Sequence, residues 1–387
     1  MKLAVPATLA LLAKAVYNLV DTAYIGMLDS DIALTAVGVT VPLLLIMVSM
    51  ENIFAAGAAV LAGRQLGAKD QEGASRTVTT IIGLSVVLGI LLCVGGIVFL
   101  DPLMRAFGAS EASLPLAKDY AFWMFVAALA NLPAQSMNCA ARAESSVRIS
   151  SVAVITGAML NIVLDPIFMF EWGLDLGVGG ASLATTVSQF VTFFILAWFY
   201  ASGRSVIKLK ATAFRPSWGL IKTVTMIGVP TAVIQICLSV ASSLTNIAAA
   251  SLPQSDEIIA AYGVVQRLVL IGCYVVMGFM QGYQPVASYA FGAKDEDRFH
   301  QAVRFALKGG FAADSFGGGC VYPAVQAADP AVQPQSGHCG LRQAAAHFPG
   351  GAVSGVWTVL YDDDHLSNHR RRQIRPVPLA DPAGAVL

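Results

Sequence analysis

The stretch Leu160-Asn161-Ile162-Val163-Leu164-Asp165-Pro166-Ile167-Phe168 decides how this chain is organised. It lies in an apolar run, from Ile149 to Phe170, in which Asp165 is the one ionisable residue. A carboxylate at that depth in hydrocarbon costs roughly 3 kcal/mol or more unless it faces a polar cavity or takes up a proton. Asn161 lies one helical turn before Asp165, on the same face, and Pro166 removes a backbone N–H and favours a kink. The stretch therefore predicts a polar notch in a membrane helix; the alternative is a structural Asp165 that only bonds its neighbours.

The composition is that of a polytopic membrane protein. The chain has 387 residues, of which 56% are hydrophobic and 12% charged, and its mean hydropathy is +0.67. A soluble domain is about 25% charged, so too little polar surface is left to coat a globule. The formal net charge is zero, which argues against nucleic acid as a partner. The six cysteines lack metal-ligand spacing and predict neither a disulfide framework nor a zinc site.

Eight apolar runs are long enough to cross a bilayer, which takes roughly 20 residues. They lie near residues 3–27, 32–62, 77–100, 117–141, 149–171, 178–201, 217–250 and 257–290, and a ninth begins near 299. Lysine and arginine fill every second loop, beginning with Arg64, Lys69 and Arg76 after the second run. The positive-inside rule then places the N-terminus and these basic loops in the cytoplasm. We expect a multi-pass protein of the inner (plasma) membrane.

The chain contains an internal repeat. Three pairs of segments match at a constant offset of 225 residues: Val37-Gly38-Val39 with Tyr262-Gly263-Val264, Gly57 with Gly282, and Leu66-Gly67-Ala68-Lys69-Asp70 with Phe291-Gly292-Ala293-Lys294-Asp295. Six spans separate the two copies, an even number, so both halves have the same orientation. Parallel repeats related by an axis along the membrane normal are a transporter architecture, with the substrate site near the midplane between them.

Several of these segments carry a family resemblance. They are Ala4-Val5-Pro6, the stretch from Tyr17 to Thr22, Leu66-Gly67-Ala68, the stretch from Asn161 to Pro166, Gly179-Gly180-Ala181 with Ala184-Thr185, and Gly282-Tyr283-Gln284-Pro285. Over roughly residues 1–310 the chain resembles the multidrug and toxic compound extrusion (MATE) family. The resemblance implies twelve helices in two six-helix lobes, and cation-coupled export of organic, often cationic, compounds.

The predicted fold is all-α, with two parallel-repeat six-helix lobes of the MATE type. About eight or nine transmembrane helices are present and the second lobe is incomplete. We place the N-terminal lobe at 1–203, a cytoplasmic inter-lobe loop at 204–216, and a partial C-terminal lobe, with helices seven, eight and the start of nine, at 217–310. Residues 311–387 form an aberrant tail.

This tail is interpreted as an out-of-frame translation. From Phe311 to Leu387 there is no Lys, Met or Glu, while seven of the 17 prolines and four of the five histidines fall there. Codons consistent with parts of it, with one base of each chosen freely and read one base over, can spell strings like MATE helices. The alternative is a disordered soluble tail. We predict an inserted base, or two lost, near the codons of residues 309–311. The nucleotide sequence across residues 300–320 tests this, and an intact frame with no membrane-like reading one base over contradicts it.

Two acids in membrane spans are the candidate site. By the resemblance, Tyr17, Asp21, Asn161 and Asp165 fall on the cation and proton site of the N-terminal lobe. Two carboxylates in one pocket of low dielectric do not both ionise cheaply, so the pair can hold a proton or a transient Na⁺, for which a cationic substrate competes. The alternative for Asp21 is a helix-packing hydrogen bond.

Further polar side chains in the spans are weaker candidates. Asn138 and Thr185 are expected to add to the lining of the same site. Gln235, Gln266 and Gln281 are candidates for the cleft lining of the second lobe, although helix–helix hydrogen bonding is the commoner role of such residues. Lys14 lies seven residues before Asp21. It either pairs with an acid or extends toward the cytoplasmic interface, and we expect the second.

The function predicted is secondary active multidrug export, an antiport of organic compounds against Na⁺ or H⁺. No cofactor beyond the coupling ion is expected, the partners are the bilayer and small organic substrates, and the protein is expected to be a monomer. The sequence has no Walker loop, no nucleophile–base arrangement and no HExxH motif, which argues against an enzyme. The alternatives are a lipid-linked oligosaccharide flippase of the same broad fold, with several basic residues in its cavity where only Lys14 qualifies, and a non-functional truncated product.

Overall fold

Helices account for all the regular structure in the part of the chain that the computed structural model describes, which is residues 4–28, 31–107, 109, 111, 113–250 and 281–306. They are α1 (Ala4–Gly26), α2 (Asp31–Gly67), α3 (Gln71–Val98), the short α4 (Leu100–Ala106), α5 (Leu114–Ala143), α6 (Val147–Met169), α7 (Gly177–Ala201) and α8 (Trp218–Ala250). Residues 281–292 and 296–306 are also helical and are called α9 and α10.

Each of the seven spans predicted between residues 3 and 250 coincides with one long helix. Four of the described helical stretches are long and apolar enough to cross a membrane on length and composition alone: Ala36–Gly67, Gln71–Val98, Val147–Met169 and Gly177–Ala201. The predicted total of eight or nine spans stays a prediction, because the eighth run is described only from residue 281 and the tail after 306 lies outside the described residues. The all-α class is confirmed for the part described.

Helix α5 is the centre of the first six long helices. It packs against α2, α3 and α7, while α6 packs against α1 and α7, and α8 packs along α2. The buried face of α5 is rich in alanine, for example Ala121, Ala128 and Ala140. Small residues let helix backbones approach closely. Close packing drives helix association in a bilayer, because lipid tails are as apolar as the helix side chains.

The end of α2 has a defined capping geometry. Lys69 adopts a left-handed φ of 62°, its N–H bonds the carbonyl of Leu66 at 3.0 Å, and the N–H of Asp70 bonds the carbonyl of Gln65 at 2.9 Å. These two bonds are the Schellman motif, which satisfies carbonyls left over at a helix end. The carboxylate of Asp70 then caps α3 by accepting from the N–H of Gly73 at 2.8 Å.

The same geometry recurs 225 residues later, at the end of α9. Lys294 has a φ of 55°, and the N–H of Asp295 bonds the carbonyl of Ala290 at 3.1 Å. The carboxylate of Asp295 accepts from the N–H of Arg298 at 3.0 Å. The repeat read from the sequence is thus confirmed at this turn, bond by bond.

The two copies of this turn pack against each other through glycines. A Cβ on Gly67 would overlap the carbonyl oxygen of Tyr289, and a Cβ on Gly292 would overlap that of Arg64. In the repeat, Gly67 corresponds to Gly292 and Arg64 corresponds to Tyr289, each at an offset of 225. The two contacts are therefore equivalent, and they form an isologous interface about a pseudo-two-fold axis. We call these four residues the glycine clasp; it holds the end of α2 against the end of α9.

Candidate functional site

The polar notch predicted around Asp165 is present on α6. Asp165 and Asn161 are 0% and 2% exposed. The amide of Asn161 donates to Asp165 Oδ1 at 2.9 Å and to Thr185 Oγ1 of α7 at 3.2 Å. Pro166 lies in the last turn of α6, which ends at Met169. The structure therefore brings Asn161, Asp165 and Thr185 together.

Helix α1 brings Tyr17 and Asp21 to the same region. It packs along α6, and Asp21 interacts electrostatically with Asp165. Tyr120 of α5 interacts with both acids and with Tyr17, so three helices converge on the pair. Tyr120 was not singled out in the sequence, because a tyrosine in an apolar span is usually a packing residue.

Three oxygens in this cluster have no hydrogen-bond partner although they are buried. They are Asp21 Oδ1, Asn161 Oδ1 and Asp165 Oδ2. A buried polar atom left unpaired is costly and calls for an explanation, such as an ion or a proton that it binds. All three are hard oxygen donors, which suit a hard cation. The residues present therefore fit Na⁺ or H⁺ as the bound species.

A polar cavity of about 60 Å³ lies beside the notch. Its walls come from α1, α5, α6, α7 and α9, with polar contributions from Lys14, Tyr17, Asn131, Gln135, Asn138, Arg142, Ser150, Ser151, Asn161, Thr185, Ser188, Gln189, Thr192 and Gln281. A volume of this size holds a few water molecules, so a drug-sized ligand requires the surrounding helices to separate, as alternating access requires.

The remaining sequence candidates fall in different places. Asn138 lines the cavity but bonds Arg142 and Ser150, and Ser150 lies about 22 Å along α6 from Asp165 at 1.5 Å per residue. Gln281 lines the cavity from the second repeat. Gln235 belongs to α8, but its side chain is outside the described part, and Gln266 lies wholly outside it.

Glu51 is a third buried acid that the sequence reasoning missed. It lies in the middle of α2, is 5% exposed, and accepts a hydrogen bond from the amide of Asn131. It is the one ionisable residue between 32 and 62, so the criterion that selected Asp165 selects it as well.

For Lys14 the structure supports the alternative left open by the sequence, an interaction with a buried acid. Lys14 lines the cavity and interacts electrostatically with Glu51, whereas we expected it to extend toward the interface. A buried carboxylate within a span needs a compensating charge, and Lys14 provides one.

A polar row on α5 was missed apart from its member Asn138. Asn131, Gln135, Asn138 and Arg142 are spaced by four, three and four residues, which places them on one helix face. All four line the cavity. The signal was readable, since this spacing is helical and the residues between them are mostly apolar.

Comparison with known proteins gives a consistent result. The family model MatE matches residues 6–167 and 230–323. The chain is similar to the multidrug export protein MepA of Staphylococcus aureus (strain MRSA252), with 26% identity over 291 residues, or 75% of this chain and 64% of the relative. The chain thus spans less than two thirds of that relative's length.

Solved structures resemble the fold closely. A multidrug resistance MATE family transporter of the MOP superfamily in its outward-facing conformation superposes with a TM-score of 0.77 and 26% identity, over 85% of this chain and 72% of that one. A MOP superfamily transporter from Pyrococcus furiosus Vc1 (DSM3638) has a TM-score of 0.74 and 26% identity, over 81% of this chain and 68% of that one.

Proposed function

Since the chain belongs to the MatE family of multi-pass membrane transporters, we propose that it exports organic, often cationic, compounds across the inner membrane in exchange for Na⁺ or H⁺. One observation carries the proposal. Asp21 and Asp165, from separate helices, each present an unpartnered buried oxygen, and Asn161, which bonds Asp165, lines the polar cavity. A site that binds a small cation and borders a substrate cavity is what coupled exchange requires.

The exchange follows from competition for negative charge. With a proton or Na⁺ on the acid pair, the pair's attraction for a cationic substrate is weakened, and with the ion gone the substrate binds. Intramembrane ionisable residues that face a polar cavity mark ion and substrate pathways. The chain itself supplies the carboxylates, the amide of Asn161 that orients Asp165, and the hydroxyl of Thr185 that orients the amide.

The direct test is transport of ethidium by the chain with its reading frame restored after residue 310. In inside-out vesicles, an imposed Na⁺ or H⁺ gradient is expected to drive ethidium into the lumen. Uptake that is the same with and without either gradient contradicts coupled exchange.

The orientation is a separate expectation, drawn from the basic loops. A cysteine replacing Asp29 or Gln254 is expected to react with an impermeant thiol reagent added outside cells, and one replacing Gln71 is not. Chemical labelling of the three variants, compared with labelling after the membrane is opened, is the measurement. The reverse pattern overturns a cytoplasmic N-terminus.

The structure adds one basic residue to the cavity lining, which bears on the flippase alternative. Arg142 lines the cavity in addition to Lys14, so the basic lining is larger than the sequence indicated. Asp21, Glu51 and Asp165 lie in the surrounding helices but outside the cavity lining, to which both bases belong. The export proposal therefore rests on the acid pair beside the cavity and on Asn161, which bonds Asp165 and lines the cavity.

A further inference from the structure

The cavity wall carries positive charge but no carboxylate among the residues that the structure describes. Lys14 and Arg142 are its basic members, and its other polar members present amides and hydroxyls. In a site shielded from water the local dielectric is low, so a positive group there repels a cation strongly. A cavity that accepts cationic compounds therefore needs negative charge close behind its wall.

Two asparagines of the wall are bonded to acids that lie behind them. Asn161 of α6 donates to Asp165 at 2.9 Å, and Asn131 of α5 donates to Glu51 of α2. In both pairs the amide lines the cavity and the carboxylate does not. The arrangement found at Asp165 thus recurs on another pair of helices, with Glu51 as its acid.

Glu51 has an opposite charge near it in the cavity wall. It is 5% exposed, and an ionised carboxylate held away from water is costly unless another charge balances it. Lys14 of α1 interacts electrostatically with Glu51 and lines the cavity. One charge of this pair therefore belongs to the wall and the other lies behind it.

The interaction between Glu51 and Lys14 also determines what a compound in the cavity meets. While Glu51 is ionised, its negative charge offsets the positive charge of Lys14. Asp21 lies seven residues after Lys14, or about 10 Å along α1 at 1.5 Å per residue, and is less able to offset that charge. Without the carboxylate of Glu51, Lys14 would make the cavity unfavourable for a cation.

We propose that Glu51 is a specificity-determining residue: held by Asn131, it balances the charge of Lys14 and so lets the cavity accept compounds that carry a positive charge. The inference rests on the proposed function and adds a third acid to it. The role of this acid is to set the charge of the cavity, whereas Asp21 and Asp165 exchange the ion. Neutral compounds of the same shape are indifferent to the balance.

A matched pair of dyes isolates the charge of the compound. Acridine is neutral at mildly alkaline pH, and N-methylacridinium differs from it by one methyl group and a permanent positive charge. Binding of each is measured by fluorescence titration with the full chain in nanodiscs of zwitterionic lipid, with empty nanodiscs subtracted. The readout is the ratio of the two dissociation constants, so a general loss of affinity cancels.

Glu51→Gln is expected to lower the preference for N-methylacridinium over acridine by about tenfold, the change that 1.4 kcal/mol produces, because Lys14 is then unbalanced. Lys14→Gln is expected to raise the preference by about as much. The double variant removes both charges and is expected to return the ratio to that of the unaltered chain. A merely structural role does not produce opposite shifts that cancel.

Controls make the same chemical changes away from the cavity. Glu171→Gln and Lys208→Gln alter residues that are exposed and outside the cavity wall, and both are expected to leave the ratio unchanged. Removing one partner of a buried charge pair is strongly destabilising. If Glu51→Gln does not fold, the test is the fall in the ratio from Lys14→Gln to the double variant.

The outcomes separate this inference from the proposed function. If both dyes bind the unaltered chain and the ratio is the same in Lys14→Gln and the double variant, Glu51 does not set the charge of the cavity and the export proposal stands. Shifts of Glu51→Gln and Lys14→Gln in the same direction have the same meaning. If neither dye binds the unaltered chain, binding of organic compounds in this cavity is overturned together with the inference.

Discussion

Replacing Asp165 by asparagine is expected to reduce gradient-driven ethidium transport by about a hundredfold, near the upper end of measured coupling between sites. Asparagine has nearly the shape of aspartate and can still bond the side chain of Asn161, so folding and expression are expected to persist. It cannot take up a proton or hold Na⁺ as a carboxylate does. The measurement is initial uptake into inside-out vesicles by the frame-restored chain.

The partner acid and a control complete this prediction. Asp21→Asn is expected to have an effect of similar size, and the double variant to be little worse than either single one, because residues that act as a unit are not additive. Asp175→Asn makes the same chemical change at an exposed residue with a φ of 51°, which asparagine tolerates. Normal transport by both single variants across pH 6–8 contradicts a functional pair.

Gly67→Ala is expected to destabilise the protein by about 3 kcal/mol. This is the upper end of the usual cost of overpacking, because the atoms that the new methyl meets belong to the backbone and cannot move aside. The added methyl would overlap the carbonyl oxygen of Tyr289 and crowd the N–H of Ala293. The pseudo-two-fold relation predicts that Gly292→Ala, which meets the carbonyl of Arg64, costs about as much. The midpoint of thermal unfolding in detergent is the measurement.

Gly38→Ala is the matched control for the glycine clasp. It lies in the same helix as Gly67, and a Cβ there meets nothing within 4 Å. Alanine in place of an exposed helical glycine is expected to stabilise slightly. Equal midpoints for Gly38→Ala, Gly67→Ala and Gly292→Ala would show that the two copies of the turn do not pack as described.

The helices and the centre of the site were predictable from the sequence for simple reasons. Apolar runs of 20 or more residues have few structures open to them in a bilayer, so their positions follow from composition. Asp165 and Asn161 are one turn apart on one helix, and local spacing alone places them together. The internal repeat predicted that the turns at Lys69 and Lys294 have the same structure. In both turns equivalent backbone N–H groups bond equivalent carbonyls at the helix end.

What the sequence did not show depends on contacts between distant helices. The hydrogen bond between Glu51 and Asn131 joins α2 to α5, and the electrostatic interaction of Lys14 with Glu51 joins α1 to α2. Neither follows from spacing within one helix. Arg142 lies just after the predicted span 117–141, yet α5 continues through it to Ala143. Arg142 bonds Asn138, which also accepts from Ser150 of α6, and a contact between two helices is not readable from a local pattern.

The central claim is that a small cation and an organic compound are exchanged through Asp21 and Asp165. Its most direct measurement is the counter-flow of the ion itself, in inside-out vesicles loaded with radioactive Na⁺ or with acid. Ethidium added outside is predicted to release lumenal Na⁺ or H⁺ with the frame-restored chain, and to release neither with Asp165→Asn. Ethidium uptake that moves no ion, or equal ion release by the Asp165→Asn variant, contradicts the account.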